Sequence, residues 1–151
     1  TGPALFLDCD MLVQADLAEL GRYMGQGHAV SVCQHDYTPK DTVKFLGKTQ
    51  AAYPRKNWSS VMLFDCGRCQ ALTPDYVNTA SAADLHRLAW AGDRVGALPL
   101  EWNWLVGEYP PNPDAKILHW TVGGPWFDDY ADTDHAATWR GALRATLRAG
   151  R

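Results

Sequence analysis

Two aspartates follow a short apolar stretch near the start of the chain, with one residue between them. Residues 4–7 are apolar, and Asp8 and Asp10 come directly after them. In an extended strand, residues i and i+2 face the same side about 6.6 Å apart. At an effective dielectric near 20, two carboxylates at that range repel by roughly 2.5 kcal/mol. A divalent cation removes this repulsion, because carboxylate oxygens are its preferred ligands. The spacing therefore predicts a metal site, and two unconnected, solvated aspartates are the alternative.

The composition limits the classes of partner and compartment. A length of 151 residues suits one domain, and residues 1–151 are treated as a single domain. The net charge of −3 gives no electrostatic reason to expect a nucleic-acid partner. No stretch approaches the ~20 apolar residues of a membrane span. The cysteines lie in apolar or strand-like surroundings, which favours a cytoplasmic location over a disulfide scaffold; they are Cys9, Cys33, Cys66 and Cys69.

The chain contains stretches with the periodicity of strands and stretches with that of helices. Besides residues 4–7, strands are predicted at residues 28–34, 61–64 and 115–120. Residues 4–7 are predicted to form a buried, central strand, which needs a neighbour on each side. Because Thr1 stands just before this strand, we expect the chain to be part of a longer protein whose preceding half supplies one neighbour.

Three helices are predicted from their N-cap residues, which are Asp16, Thr73 and Ser81. An amphipathic helix is predicted for residues 133–149, with Trp139, Leu143 and Leu147 on its apolar face. Its other face carries arginines at every fourth residue, from Arg140 to Arg148. A solvated face is the first interpretation of this pattern, and peripheral contact with an anionic membrane is the alternative.

The segment between the second and third strands is predicted to be a loop, covering residues 35–54. Its first residues, His35 and Asp36, are predicted to lie in a surface turn. An acid–base pair is the alternative for these two side chains.

Three motifs in order along the chain resemble those of glycosyltransferases with the GT-A fold, most of all the retaining, glycogenin-like family 8. Phe-Leu-Asp-Cys-Asp at residues 6–10 resembles the Asp-X-Asp motif of that family. Leu-Pro-Leu-Glu-Trp-Asn at residues 98–103 resembles its Leu-Pro-X-X-Trp/Tyr-Asn segment. His119, followed by Gly-Gly-Pro-Trp at residues 123–126, resembles its His-X-X-Gly-X-X-Lys-Pro-Trp segment. With the partial matches between them, the resemblance covers nearly the whole chain.

The resemblance implies a fold, an activity and a metal. The fold is α/β, with a GT-A-type sheet flanked by helices and an amino-terminal half that is missing here. The activity is transfer of a sugar from a nucleotide-sugar donor, first of all a UDP-sugar, with retention of configuration. The acceptor is a saccharide, a lipid-linked sugar or a protein. In the resembling family, the residues that match Asp8, Asp10 and His119 bind Mn²⁺, or Mg²⁺, against the donor diphosphate.

The resemblance also implies substrate-binding residues, and here the match is partial. They are Asp8, Ser59, Ser60, Gly123, Gly124 and Trp126. Asp84 matches one acidic residue of an Asp-Gln-Asp segment and is the predicted catalytic contact to the cationic sugar, whereas Leu85 and His86 depart from that segment. Gly124 stands where the family has a lysine that neutralises the departing diphosphate. Either the metal takes over more of that task or another cation of this chain does.

Two other classes of protein stay open. Asp8 and Asp10 also resemble the first motif of haloacid-dehalogenase-type phosphatases, in which the first aspartate is the nucleophile. That class needs a late acidic motif at a strand end, but Asp128 and Asp129 follow Gly-Gly-Pro-Trp-Phe instead of a strand. The third class is a non-catalytic domain that binds a carbohydrate or another partner. The motif order favours the glycosyltransferase.

Overall fold

The computed structural model describes residues 1–150. The strands are β1 Pro3–Leu7, β2 Met11–Val13, β3 Val30–Cys33, β4 Val43–Lys44, β5 Lys48–Thr49, β6 Val61–Asp65, β7 Val95–Leu98, β8 Trp104–Leu105 and β9 Ile117–His119. The α-helices are α1 Pro74–Thr79, α2 Ala82–His86 and α3 Ala136–Ala149. Short 3₁₀ helices cover Leu17–Tyr23, Phe45–Gly47, Trp58–Ser60, Cys66–Arg68, Ala89–Ala91, Leu100–Asn103 and Asp128–Tyr130. The protein is thus mixed α/β, as the resemblance implies.

The larger sheet has the strand order β1-β6-β3-β7. The central strand β6 is antiparallel to both β1 and β3, while β7 runs parallel to β3. All four residues of β3 are buried, because this strand has a neighbour on each side and packing on each face. Residues 28–34 and 61–64 are therefore confirmed as strand regions.

The smaller sheet has the order β2-β9-β8, with β9 antiparallel to β2 and parallel to β8. Leu7 ends the first strand of the larger sheet, and Met11 begins the first strand of the smaller one. Residues 8–10 are therefore the crossing between the two sheets. The side chains packed between the sheets are Leu20, Cys33, Val61, Leu63, Leu98, Trp102 and Ile117.

The first strand has one neighbour within residues 1–150, and its predicted central position, which needs a second neighbour from a preceding half, stays a prediction. β1 lies at the edge of the larger sheet, and within residues 1–150 it pairs with β6 alone. Three of its five residues are exposed, since one side of the strand lacks a neighbour among the described residues. The expectation of a preceding half stays a prediction.

The prediction of a loop at residues 35–54 is wrong in part. Strands β4 and β5 form a small antiparallel hairpin, closed by a turn in which Leu46 has φ +57°. His35 is not in a surface turn, because it is only 4 % exposed and its Nδ1 lies 2.9 Å from the Tyr109 hydroxyl. Burial, helped by the charge of His119, lowers the pKa of His35 to about 3, so this ring is neutral near pH 7.

The predicted helix N-caps are confirmed at Asp16, Thr73 and Ser81, each of which accepts a backbone N–H bond from the helix that it begins. The amphipathic helix is confirmed as α3, but Leu147 on its predicted apolar face is 60 % exposed. No helix within residues 1–150 has the length and hydrophobicity needed to cross a membrane. Peripheral membrane contact through the arginine face stays a prediction.

Ile117 should be a main contributor to stability, because it is fully buried between the two sheets. Replacing Ile117 by Ala should lower the free energy of unfolding by about 2–5 kcal/mol, the usual cost of such a cavity. Urea denaturation measures this loss. Leu147→Ala is the matched control and should change the value by less than about 0.5 kcal/mol; equal losses would contradict the assigned core.

Candidate metal centre

The turn at residues 8–10 is anchored to one strand end in each sheet. The backbone N–H of Asp8 donates to the Ser60 carbonyl at 3.0 Å, just before β6. The carbonyl of Asp10 accepts from the backbone N–H of Trp120 at 3.1 Å, just after β9. The two carboxylates are thus brought together by a crossing between sheets. The expected mechanism, alternation along one continuous strand, is wrong.

The structure brings His119 to the same place. It is the last residue of β9 and is 1 % exposed, and its Nε2 lies 3.3 Å from Oδ1 of Asp10. One ligand atom from each of Asp8, Asp10 and His119 lies within 4.8 Å of the other two. This Asp-Asp-His group has the oxygen and imidazole donors that suit a divalent cation.

A buried amide fixes the orientation of the imidazole. Asn103 is fully buried, and its Nδ2 donates to the Asn57 carbonyl at 3.2 Å and to Oγ of Ser60 at 2.8 Å. Because the carbonyl can only accept, the amide nitrogen must point that way. Its Oδ1 then faces Nδ1 of His119 at 2.9 Å. Nδ1 therefore carries the proton, and Nε2 is directed at Asp10.

The two carboxylates have unequal environments. Burial raises the pKa of Asp8, and the charge of Asp10 adds to this rise against opposing contributions from His119, His86 and Lys44. Burial acts in the same direction on Asp10, but the hydrogen bond and the charge of His119 bring the pKa of Asp10 below its usual value. The contact between Nε2 of His119 and Oδ1 of Asp10 would be stabilised by a proton on Nε2 or by a cation that both atoms share. Two carboxylates and one imidazole are a donor set that fits a divalent cation.

Ser59 and Ser60, both predicted to bind substrate, have different surroundings. Ser60 is buried, and its Oγ donates to the Asn57 carbonyl at 2.7 Å and accepts from Asn103. It therefore holds the amide that orients His119. Oγ of Ser59 lies 2.9 Å from Nδ1 of His86. These two side chains and Asp8 line a cavity of about 320 Å³.

His86 is a residue that the sequence interpretation did not select. The resemblance gave weight to Asp84, but Asp84 is exposed and is hydrogen-bonded to Ser81 as part of the helix N-cap. His86 is the titratable side chain of α2 that shares the cavity with Asp8. The catalytic role of Asp84 stays a prediction without a supporting contact. The sequence signal that could have selected His86 is that it stands where the Asp-Gln-Asp segment has its second aspartate.

Gly123 and Gly124 make room for aromatic rings. A Cβ at Gly123 would lie 2.6 Å from the ring of Tyr130, and one at Gly124 would clash with the ring of Trp126. Trp126 is 40 % exposed and, with Asp10 and Phe45, lines a second cavity of about 270 Å³. The predicted approach of the glycine backbone to phosphate stays a prediction.

The chain is similar in sequence to a plant protein and in structure to a bacterial glycosyltransferase. No family model matches the chain. Over 146 residues it is 44 % identical to Protein CDI of Arabidopsis thaliana, covering 91 % of this chain and 56 % of that protein. The chain thus spans about half the length of this curated relative. The glycosyltransferase GlyE of Streptococcus pneumoniae TIGR4 has a similar structure, with a TM-score of 0.57 at 15 % identity over 93 % of this chain and 39 % of GlyE. The fold is therefore similar to that of a glycosyltransferase.

Asn103 should tune metal affinity without touching the metal. Asn103→Ala frees the His119 ring, so we expect the Kd for Mn²⁺ to rise about 10–100-fold, as for other residues that orient a metal ligand. Electron paramagnetic resonance of free Mn²⁺ during titration measures it. Gln50→Ala is the matched control, because Gln50 is a buried amide bonded to Glu108 instead of to the cluster. Unchanged affinity in Asn103→Ala would refute the orienting role.

Proposed function

We propose that this chain is the metal-binding part of a retaining, family-8-like glycosyltransferase with a GT-A-type fold. Asp8, Asp10 and His119 would hold one Mn²⁺ or Mg²⁺ ion against the diphosphate of a nucleotide sugar, first of all a UDP-sugar. The observation that carries the proposal is this cluster, at the crossing of two sheets in a glycosyltransferase-like fold. The carboxylates of Asp8 and Asp10 and the imidazole of His119 are the ligand types that family 8 uses.

The chemistry follows from charge at the leaving group. A bound divalent cation would stabilise the negative charge that develops on a departing nucleoside diphosphate. The task of Asp8 and Asp10 is to supply the anionic ligands, and the task of Asn103 is to keep Nε2 of His119 directed at them. Trp126, beside Asp10 in its cavity, would shield the diphosphate from water on that side.

We assign the transferred sugar to the cavity that Asp8 shares with Ser59 and His86. The Ser59 hydroxyl and the His86 imidazole offer hydrogen bonds for sugar hydroxyl groups. Phe6 lines the same cavity and is 44 % exposed, so its ring is available to the apolar face of a sugar. The cavity thus combines polar groups and an aromatic surface, as carbohydrate sites do.

The other parts of the reaction need residues beyond those assigned here. We propose that the nucleoside contacts come from a part of the protein outside this chain, which spans 39 % of GlyE and 56 % of Protein CDI. The acceptor is a saccharide, a lipid-linked sugar or a protein, and the compartment is the cytoplasm.

The test is metal-dependent binding of a nucleoside diphosphate by the full-length natural protein. UDP and GDP should raise the melting temperature with Mn²⁺ but not with EDTA, because the carboxylates repel phosphate until a cation reverses the local charge. Ligand at 100 times its Kd should add about 2.7 kcal/mol of stability. Asp10→Asn should abolish the shift, whereas Asp16→Asn, at a helix N-cap away from the cluster, should keep it.

Other outcomes identify the other classes. Phosphate release from a simple monoester with Mg²⁺, lost in Asp8→Asn, would point to a phosphatase and contradict the proposal. No response to either nucleotide would point to a binding domain and would equally contradict it.

A further inference from the structure

The cavity of about 270 Å³ beside Asp10, which we call the aromatic cavity, is lined mainly by aromatic rings. Among the described residues, its walls are Cys9, Asp10, Phe45, Trp120, Trp126 and Phe127. Asp10 is the charged member of this set. Because Trp126 is 40 % exposed, part of its ring surface faces solvent instead of the core. The aromatic cavity therefore presents an open apolar surface directly beside a candidate metal ligand.

The Trp126 ring is held in place although it is exposed. Its centroid lies 6.0 Å from that of Trp120, 6.0 Å from that of Phe127 and 5.5 Å from that of Trp139. A Cβ at Gly124 would clash with the ring, so glycine at this position lets the indole lie where it does. A surface fixed in this way loses little freedom when a ligand packs on it.

The stacked rings of Phe45 and Phe127 line a second, larger cavity as well. Their centroids are 5.1 Å apart and their planes differ by 11°. The second cavity has a volume of about 680 Å³, and its walls carry groups that form hydrogen bonds, on Lys44, Asp128, Asp129 and Tyr130. The aromatic cavity thus adjoins a polar one, and the two share this stack.

The chemistry of both cavities matches a saccharide. A sugar ring has apolar C–H faces, which pack on aromatic rings, and a rim of hydroxyl groups, which need hydrogen-bond partners. The aromatic cavity offers surface for the faces, and the polar cavity offers carboxylates and an ammonium group for the hydroxyl groups. An acyl chain would use the rings but none of the charged groups.

We propose that the aromatic cavity binds a saccharide acceptor, with the terminal sugar on Trp126 and the next sugar towards Asp128 and Asp129. The acceptor role rests on the proposed function. Retention requires the acceptor oxygen to bond to the face of the anomeric carbon that the leaving oxygen occupied. The acceptor must therefore lie beside the diphosphate, and Asp10, a candidate ligand of the metal that would hold this group, lines the cavity.

The transfer step balances with these groups alone. A bond forms between the acceptor hydroxyl oxygen and the anomeric carbon, and the bond between that carbon and the diphosphate oxygen breaks. The electron pair of the broken bond leaves with the diphosphate, which also takes the hydroxyl proton. A saccharide seated on Trp126 would also exclude water from this side of the diphosphate.

The experiment measures saccharide binding by the full-length natural protein, with Mn²⁺ and either UDP or GDP present. An array of immobilised oligosaccharides, built on glucose, galactose, mannose and xylose, identifies the strongest ligand, and calorimetry gives its Kd in solution. Trp126→Ala should raise this Kd about 10-fold, because it removes the stacking surface. Trp126→Phe should recover part of the loss.

A second variant tests the polar cavity without touching the aromatic core. Asp128 and Asp129 are both exposed, so replacing both by Asn should leave the fold intact. The double variant should raise the Kd of the saccharide about 5-fold, because neutral amides bind hydroxyl groups more weakly than carboxylates. A Kd that is unchanged in this variant and in Trp126→Ala would overturn the inference.

Trp104→Ala is the matched control, and Phe6→Ala locates the ligand. Trp104 is a partly exposed indole whose ring lies 5.1 Å from that of Tyr109, and it lines neither cavity. This control should keep the wild-type Kd, and an equal loss there would contradict the role of Trp126. Phe6 lines the cavity that contains Asp8. An equal loss in Phe6→Ala would place the saccharide there and overturn the inference.

The results also separate this inference from the proposed function. If UDP or GDP raises the melting temperature with Mn²⁺ but the array binds nothing, the saccharide site is overturned and the proposed function is preserved. If saccharide binding depends on Trp126 but neither nucleotide has an effect, the proposed function is overturned, and the acceptor role with it.

Discussion

The hydrogen bond between Asn103 and His119 is the interaction on which the rest of the site depends. Both side chains are almost completely buried, so neither can turn to water for another partner. The Asn57 carbonyl fixes the amide, the amide fixes the imidazole, and the imidazole faces Asp10. The short 3₁₀ helix Leu100–Asn103 therefore sets the direction of His119, a candidate metal ligand on strand β9.

The same network connects the two sheets. Ser60 precedes β6 in the larger sheet, and its Oγ accepts from Asn103, while its carbonyl accepts from the backbone of Asp8. His119 ends β9 in the smaller sheet. The acidic turn is thus held between both sheets, and packing of the core determines the geometry of the carboxylates. A rigid frame of this kind keeps ligands in position before a cation arrives.

The sequence predicted the candidate metal ligands better than the scaffold that positions them. Asp8, Asp10 and His119 could be selected because their types and their positions at strand ends are local features. The apolar runs at β3, β6 and β9 were similarly clear. The unpaired side of β1 among residues 1–150 agrees with the expectation for a strand whose second neighbour lies in a preceding half. The central position itself stays a prediction, since an apolar strand has the same composition with one neighbour or with two.

Long-range contacts explain the other differences. His35 is buried beside Tyr109, to which it is hydrogen-bonded, and these two residues are 74 positions apart in the sequence. No local sequence pattern predicts that contact. The hairpin of β4 and β5 has only two residues in each strand, which is too short for a visible alternation. The motif containing Asn103 was recognised by resemblance, but its role became visible only when His119 was placed opposite it.

The central claim is that one cation is shared by two carboxylates and a directed imidazole. Crystals grown with Mn²⁺ and measured at the manganese absorption edge would locate the ion directly by its anomalous signal. We predict one peak between the three side chains, with distances of ~2.2 Å to oxygens of Asp8 and Asp10 and to Nε2 of His119. A peak elsewhere in the protein, or an ion here that Nε2 does not ligate, would contradict the account.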